Sequence, residues 1–409
     1  MNLTMNHSKG SFELRPAPSQ RIFSVTVWLL LGIFCLPLWA DEKSDKWFDP
    51  ALFHDPEDGE FDISAWLASR YGFLPVPIII TGPTLGAGGG VNLLFLHGKL
   101  AGKKVADGRR IPPSMSGVAA IATENGSRAA GAYHLGFMHQ DRLRTTTFLG
   151  RPDLNLDFYP SILGREFKTR MNLDGWAFYQ ELKWRLAESN FFVGANYTYA
   201  TVNSSLVKQQ ETLLEELLDQ EYRIGGLGAV LEYDSRDTIF TPSRGAYGKL
   251  VLATHAEWLG SDYEFRSFRG KLFKYLPLSR DFDLGLRLEG QTVGSNAPYF
   301  LYPSVEMRGI PNKRYQGQDV LVGEAELNWR VHGRWHLIGF AGGGKAFGEE
   351  KLKRQDVSFA DASWRTSKGL GFRYELARKF GLQAGVDVAW GPEETAFYIT
   401  VGSAWNAFY

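Results

Sequence analysis

From residue 320 to 331 the chain alternates without a break. Glu324, Glu326, Asn328 and Arg330 fall on one side, and Leu321, Ala325, Leu327, Trp329 and Val331 on the other. A period of two with one polar and one apolar side describes a strand with a wet face and a greasy face. The pattern recurs. Phe282, Leu284, Leu286 and Leu288 oppose Asp283, Gly285, Arg287, Glu289 and Gln291; Leu370, Phe372, Tyr374 and Leu376 oppose Gly371, Arg373 and Glu375. Over 380–390, Leu382, Ala384, Val386, Val388 and Trp390 oppose Gln383, Gly385 and Asp387. From residue 75 onward the pattern predicts sixteen strands, the first over 76–81, the thirteenth over 335–344 and the last over 395–408. Before them, 62–72 predicts one short amphipathic helix, capped by Asp62 or Ser64 and ended by Gly72.

Strand parity sorts the connections. Those around 187–190, 278–280, 332–334 and 378–379 are short and share one end. The long stretches 204–221, 294–319 and 345–363 share the other. Short turns at one end and long loops at the other are the norm for a transmembrane β-barrel. The basic connection 98–115 breaks that rule, being long yet on the short-turn end. Apolar positions at helical spacing between Leu206 and Leu218 predict a short helix in the loop 204–221. The first strand is short and carries Pro75 and Pro77, which cannot donate ladder hydrogen bonds. Its closure against the last strand, which contains Gly402, is therefore predicted to be the weakest pairing in the barrel.

Composition agrees with strands and turns. Glycine numbers 45 of 409 residues, about 11% against the usual ~7%. The net charge of zero gives no electrostatic reason to expect a nucleic-acid partner. Residues 1–40 read as a secretory signal peptide: Arg21, an apolar run from Phe23 to Leu36, Ala40, then an abrupt acidic switch. Its removal takes away Cys35, the only cysteine, and leaves 42 basic and 44 acidic residues. No disulfide, zinc–thiolate site or cysteine catalysis is then expected. Residues 41–74 form a short acidic segment carrying the helix, with 41–61 expected to be a solvated tail.

Two motifs carry a family resemblance over residues 75–409. Asp234-Ser235-Arg236-Asp237, followed by Pro242 and Gly245, resembles the periplasmic turn of the bacterial surface antigen superfamily, which comprises the BamA/TamA-like outer-membrane barrels and the two-partner secretion transporters. Met307-Arg308-Gly309-Ile310 resembles the Val-Arg-Gly-Phe/Tyr loop motif of the same superfamily. The resemblance implies an all-β, 16-stranded antiparallel barrel whose sixth extracellular loop folds inward. There Arg308 and Gly309 would meet an acid on strand twelve, Glu324 or Glu326. On strand thirteen, Phe340 and Gly344 match the family pattern, but Gly342 stands where an aspartate belongs. That substitution leaves Glu324 or Glu326 to anchor Arg308 alone. The 34 residues between signal and barrel are too few for the client-binding POTRA domains of relatives that insert or secrete proteins.

No catalytic constellation emerges. There is no Gly-x-Ser-x-Gly elbow and no metal-type histidine spacing. His97, His134, His139, His255, His332 and His336 are scattered, with His134 and His336 expected on lumen walls. The sequence therefore predicts a non-enzymatic protein without metal or cofactor in the bacterial outer membrane. Its expected role is protein insertion, secretion or lipid handling through the strand 1–16 seam. Outer-membrane lipids and either a homo-oligomer or a periplasmic or outer-membrane partner are expected to complete it. The alternative is a passive pore or structural surface barrel.

Overall fold

The computed structural model describes residues 49–69, 72–99, 103–104, 110–162, 164–207 and 220–405. The proposed signal peptide and the helix expected near 206–218 fall largely outside these residues. The barrel lies within the unit Leu52–Tyr409.

Sixteen long strands form one antiparallel sheet: β1 Gly72–Ile80, β2 Gly88–Leu96, β3 Met115–Thr123, β4 Arg128–Met138, β5 Leu143–Phe158, β6 Thr169–Arg185, β7 Phe191–Leu206 and β8 Gln220–Asp234, then β9 Gly245–His255, β10 Phe265–Pro277, β11 Phe282–Val293, β12 Asp319–His332, β13 Trp335–Glu350, β14 Arg365–Ala377, β15 Leu382–Trp390 and β16 Thr395–Val401. Each pairs with the next in sequence. A helix, α1 (Ser64–Ser69), precedes them.

The alternation settles which way each face points. On β10, Phe273 and Tyr275 are buried while Leu272 and Lys274, which alternate with them, are exposed. On β12, Glu324 is buried while Leu327 and Trp329 are exposed. Charged groups thus line the inside, and Leu250, Leu252, Leu286, Leu288, Leu337 and Leu370 form an outer apolar band that water would not tolerate. Next to the short turns, aromatic rings pair on the strands: Phe191 with Tyr233 at 4.8 Å, Phe282 stacked on Trp329 at 5.5 Å, and Trp335 with Tyr374 at 5.0 Å. Such a girdle suits a membrane interface.

Four parts of the sequence reading are corrected here. β13 runs to Glu350, beyond the predicted 344, because the polar stretch after the glycines still pairs with β12 through Phe347 and then with the short strand Gln355–Val357. β16 stops at Val401. Gly402 takes a left-handed conformation (φ 83°), and the chain turns so that Trp405 is buried against Tyr247, Phe273 and Tyr275. The end of the chain is therefore not a strand up to residue 408; residues 406–409 lie outside the described set. His134 lies on the outer face, linked through Ser116 to His97, because its inward neighbour is Tyr133, bonded to Asn92.

The fourth correction concerns the acidic segment. Its described part is docked, not solvated. Arg334, buried in the turn between β12 and β13, holds Asp55 at 2.8 Å, Asp58 at 3.0 Å and also Asp62. The Ile63 amide donates to the Leu376 carbonyl. Leu67 then packs with Leu74, Ala377 and Phe380, joined by Val76, Leu94 and Leu382. α1 thus touches β1 and β2 on one side and the β14–β15 end on the other. The connection 98–115, for its part, contains a small hairpin pairing Lys103–Lys104 with Arg110–Ile111.

Candidate functional site

A knot of buried interior charge surrounds Arg308. Its loop, residues 302–318, is seated by Val305, Met307, Ile310 and Tyr315, which pack on Val320 and Val322 of β12. Gly309 has φ 83°, a conformation that favours glycine. A Cβ there would lie 3.0 Å from the Gly391 nitrogen and 3.1 Å from Ser367 Oγ, so the loop backbone comes close to the β14–β15 wall. The Gly309 amide donates to the Tyr398 hydroxyl at 2.8 Å, and Ser367 donates to the Arg308 carbonyl.

This backbone aims the guanidinium inward. Arg308 meets Glu326 at 2.6 Å, Glu324 at 3.5 Å and Asp387 at 2.9 Å. Its guanidinium carbon lies 3.5 Å from the centroid of the Phe340 ring, a stacking arrangement that favours arginine over lysine. The expectation that Glu324 or Glu326 alone anchors Arg308 is corrected. Both contribute, and a third acid, Asp387, comes from β15. Asp387 is fully buried and also receives a two-pronged pair from Arg373 at 2.6 and 2.8 Å. Glu324 is likewise shared, with Arg287 at 2.6 Å.

Glycines make room for this knot. A Cβ on Gly342 would sit 2.5 Å from Glu324 Cγ, and one on Gly344 would sit 2.6 Å from the Val305 side chain. One on Gly371 would sit 2.0 Å from Asp387 Oδ1. Gly342 therefore accommodates the Glu324 stem instead of supplying an acid, and Gly344 is the seat of the loop. Phe340 in turn occupies the space over Gly369. Asp387 and Arg373 were visible on the polar sides of their strands. Nothing in sequence spacing indicated that β15 would lie within reach of the loop.

The second motif builds the β8–β9 connection. Asp234 accepts from Arg236 at 2.9 Å and from Arg144 at 3.2 Å, and the Arg236 guanidinium lies over the Tyr247 ring. Asp237 caps the turn by accepting from the Thr238 and Ser243 amides and the Ser243 hydroxyl. Pro242 is buried. Gly245 has φ 101°, and a Cβ would fall 2.2 Å from the Ser235 carbonyl oxygen. Gly245→Ala is expected to destabilise the folded barrel by about 1–3 kcal/mol, read as a lower urea midpoint for loss of heat-modifiable gel migration.

The connection also reaches across the barrel end. Thr238 donates to the Phe380 carbonyl at 2.9 Å, and the Ser403 amide donates to the Phe240 carbonyl at 2.6 Å. Phe240 joins the apolar cluster under α1. The short-turn end is thus covered by α1, the β8–β9 connection and the bend after β16. At the long-loop end, Tyr299, Phe300 and Tyr302 pack on Phe158, Met171, Tyr222 and Phe265. The polar knot lies between two aromatic layers.

No ladder joins β1 to β16 among the described residues. The Ile399 amide donates to Thr81 Oγ1 at 3.3 Å just beyond the end of β1. The two seam strands have nine and seven residues, against seventeen in β6 on the far wall.

Comparison with known proteins places this geometry. The Omp85 superfamily domain matches residues 137–405. Among solved structures, BamA from Haemophilus ducreyi lacking POTRA domains 1–3 superposes with a TM-score of 0.55 at 11% identity, covering 81% of this chain and 70% of that one. CdiB from Escherichia coli gives 0.52 at 12% identity, covering 80% of this chain but 61% of that one. No curated protein sequence matches. The matched domain covers most of the barrel, and the chain belongs to the Omp85 superfamily as a bacterial outer-membrane β-barrel.

Proposed function

We propose that the barrel inserts or exports proteins, or handles lipids, by opening between β1 and β16. The observation that carries this reading is the interrupted sheet. Among the described residues, fifteen consecutive strand pairs are laddered, from β1–β2 to β15–β16, and β16–β1 is not. An unpaired pair of edges in a bilayer leaves backbone donors and acceptors unsatisfied. That makes it the place where the wall parts at least cost, and the presence of Pro75 and Pro77 in β1 fits an edge strand. The Arg308 knot serves the same device. Through Asp387 and Tyr398 it ties the loop to β15 and β16, the strands next to the opening. A homo-oligomer or a periplasmic partner would deliver the client.

The test is a reversible staple. Thr81 and Ile399 are in contact, and Cys35 is the sole native cysteine. In cells depending on a T81C/I399C variant, oxidation is expected to stop assembly or release of the client, and dithiothreitol to restore it. Unchanged assembly and secretion with the pair fully oxidised would overturn the seam reading. Conductance steps in planar bilayers that persist through oxidation would favour a passive pore.

A further inference from the structure

The outer wall of β1–β6 carries a polar row where a membrane barrel is otherwise apolar. Phe73 pairs with Phe95, Phe95 with Ser116, Ser116 with His134, His134 with Thr147, and Thr147 with Gln180. These residues share the parity of Val91, Val118, Leu149, Trp176 and Trp184, which are exposed on the same strands, so the row faces outward. From Ser116 onward it is polar. Thr147 and Gln180 satisfy one another: the Thr147 hydroxyl donates to Gln180 Oε1 at 2.7 Å, and the Gln180 amide donates to Thr145 Oγ1 at 2.9 Å.

Ser116 is held differently. His97, on the same outward face just beyond the end of β2, places Nε2 2.8 Å from Ser116 Oγ, and His134 places Nδ1 2.8 Å from the same oxygen. The two rings lie 5.6 Å apart at 65°. A hydroxyl has one proton, so it donates to one imidazole and accepts the N–H of the other. The serine therefore stands between a base and an N–H donor. Backbone bonds fix the group: the His97 amide donates to the Ser114 carbonyl at 2.9 Å, and the Phe137 amide donates to Ser114 Oγ at 2.9 Å. Gly136 leaves room for the His134 ring, since a Cβ there would lie 3.1 Å from its Nε2. His97 is exposed, and Ser116 and His134 are half-buried.

We propose that Ser116, His97 and His134 form an ester-cleaving site on the lipid-facing wall, acting on the acyl esters of glycerophospholipids. Depth supports this substrate class. The exposed rings of Phe73 and Phe95, 5.3 Å apart, put the row in the aromatic girdle at the short-turn end, the level where headgroups meet hydrocarbon. Val118 and Leu149, exposed one outward position nearer the membrane centre, offer an apolar surface to the acyl chain. Ser116 Oγ attacks the ester carbonyl carbon as its proton passes to the accepting imidazole. The N–H of the other imidazole, beside the attacking oxygen, bonds the carbonyl oxygen as it gains charge. The imidazolium returns the proton to the glycerol oxygen as that C–O bond breaks, and the lysophospholipid leaves. Water, deprotonated by the same imidazole, then adds to the acyl-serine, and the fatty acid departs as Ser116 regains its proton. The site lies on β2–β4 and does not use the β1–β16 opening, so it stands apart from the seam reading.

The experiment uses the full barrel in mixed micelles of nonionic detergent and dioleoylphosphatidylglycerol. A long-chain alkyl fluorophosphonate, which traps an activated serine, is expected to label Ser116, located by peptide mass spectrometry. Without the probe, free oleate and a lysophospholipid are expected to accumulate. S116A should abolish both signals. H97Q and H134Q should each slow both, and the variant lacking the base should do so by about a hundredfold or more. S267A should change neither, because Ser267 meets a single imidazole, His255, at 3.5 Å. All variants are checked for heat-modifiable migration. Failure of Ser116 to react with the phosphonate in the natively migrating chain would overturn the site. So would labelling of Ser116 without oleate release, oleate release that survives S116A, or unchanged rates in either histidine variant.

Discussion

Arg308→Ala is expected to release the loop 302–318 from the wall, at a cost of about 3–5 kcal/mol, the usual penalty for leaving buried charges without their partner. The loss is not spread evenly over the three acids. Asp387 keeps Arg373, and Glu324 keeps Arg287. Glu326 keeps no described ion-pair partner, since its pair is with Arg308 alone. The damage should therefore concentrate on one carboxylate, and a double variant reads it. Arg308→Ala with Glu326→Gln is expected to recover part of the loss, while Arg308→Ala with Glu324→Gln should not, because Glu324 is then taken from Arg287 as well. Hydrogen exchange at the Val305 amide, which bonds to the Tyr315 carbonyl across the loop, reports the outcome. Exchange there as slow in Arg308→Ala as in the native chain would mean that Val305 in its Gly344 seat holds the loop without the arginine.

How much of this was legible in the sequence depends on the range of the interaction. Strands were legible because alternation is a property of neighbouring residues, and a barrel's two solvents, lipid and lumen, impose it on every strand. The inward loop was legible only through motif resemblance. Its anchor on Asp387 was not, because β15 comes within reach only after the barrel has curved and the loop has crossed the lumen. Gly342 illustrates the difference. Read along the chain it is a missing acid; in the fold it is the space that Glu324 needs. Trp405 was misread for a related reason. A terminal aromatic run continues a strand by pattern, and the left-handed Gly402 that redirects it leaves no mark on the alternation. The acidic segment looked solvated because its counter-charges, Arg334 and Arg378, sit in turns more than 270 residues away.

Those counter-charges lead to the second large effect. Arg334→Ala is expected to detach residues 53–67 from the barrel end while leaving the strands laddered. Arg334 is the common partner of Asp55, Asp58 and Asp62, and the turn 53–62 is folded around it, with the Asp55 amide bonded to Glu60 and the Asp62 amide to Phe53. A loss of about 2–3 kcal/mol in docking, at the lower end for a charge network at a membrane-water boundary, corresponds to roughly 30- to 150-fold faster exchange of the Ile63 amide. Acid should reproduce the effect in the native chain. Burial raises the Asp62 carboxyl, but hydrogen bonds from Arg334 and Ser64 outweigh it and hold the group below its ordinary value. Asp58 is lowered chiefly by its hydrogen bond from Arg334. Carboxyls depressed in the docked state stabilise it above their undocked values near 4 and lose that contribution as pH falls through the lower, docked values. Ile63 exchange, corrected for its intrinsic pH dependence, should therefore accelerate below about pH 4 in the native chain and stay nearly flat in Arg334→Ala. Because α1 packs on β1 and β2 on one side and on Ala377, Phe380 and Leu382 on the other, the same release should loosen the wall at its unladdered joint. Spontaneous oxidation of T81C/I399C would then slow in Arg334→Ala as the two edges spend more time apart. An unchanged oxidation rate, with Ile63 exchange accelerated, would show that α1 is a passenger on the barrel end and not a brace across its seam.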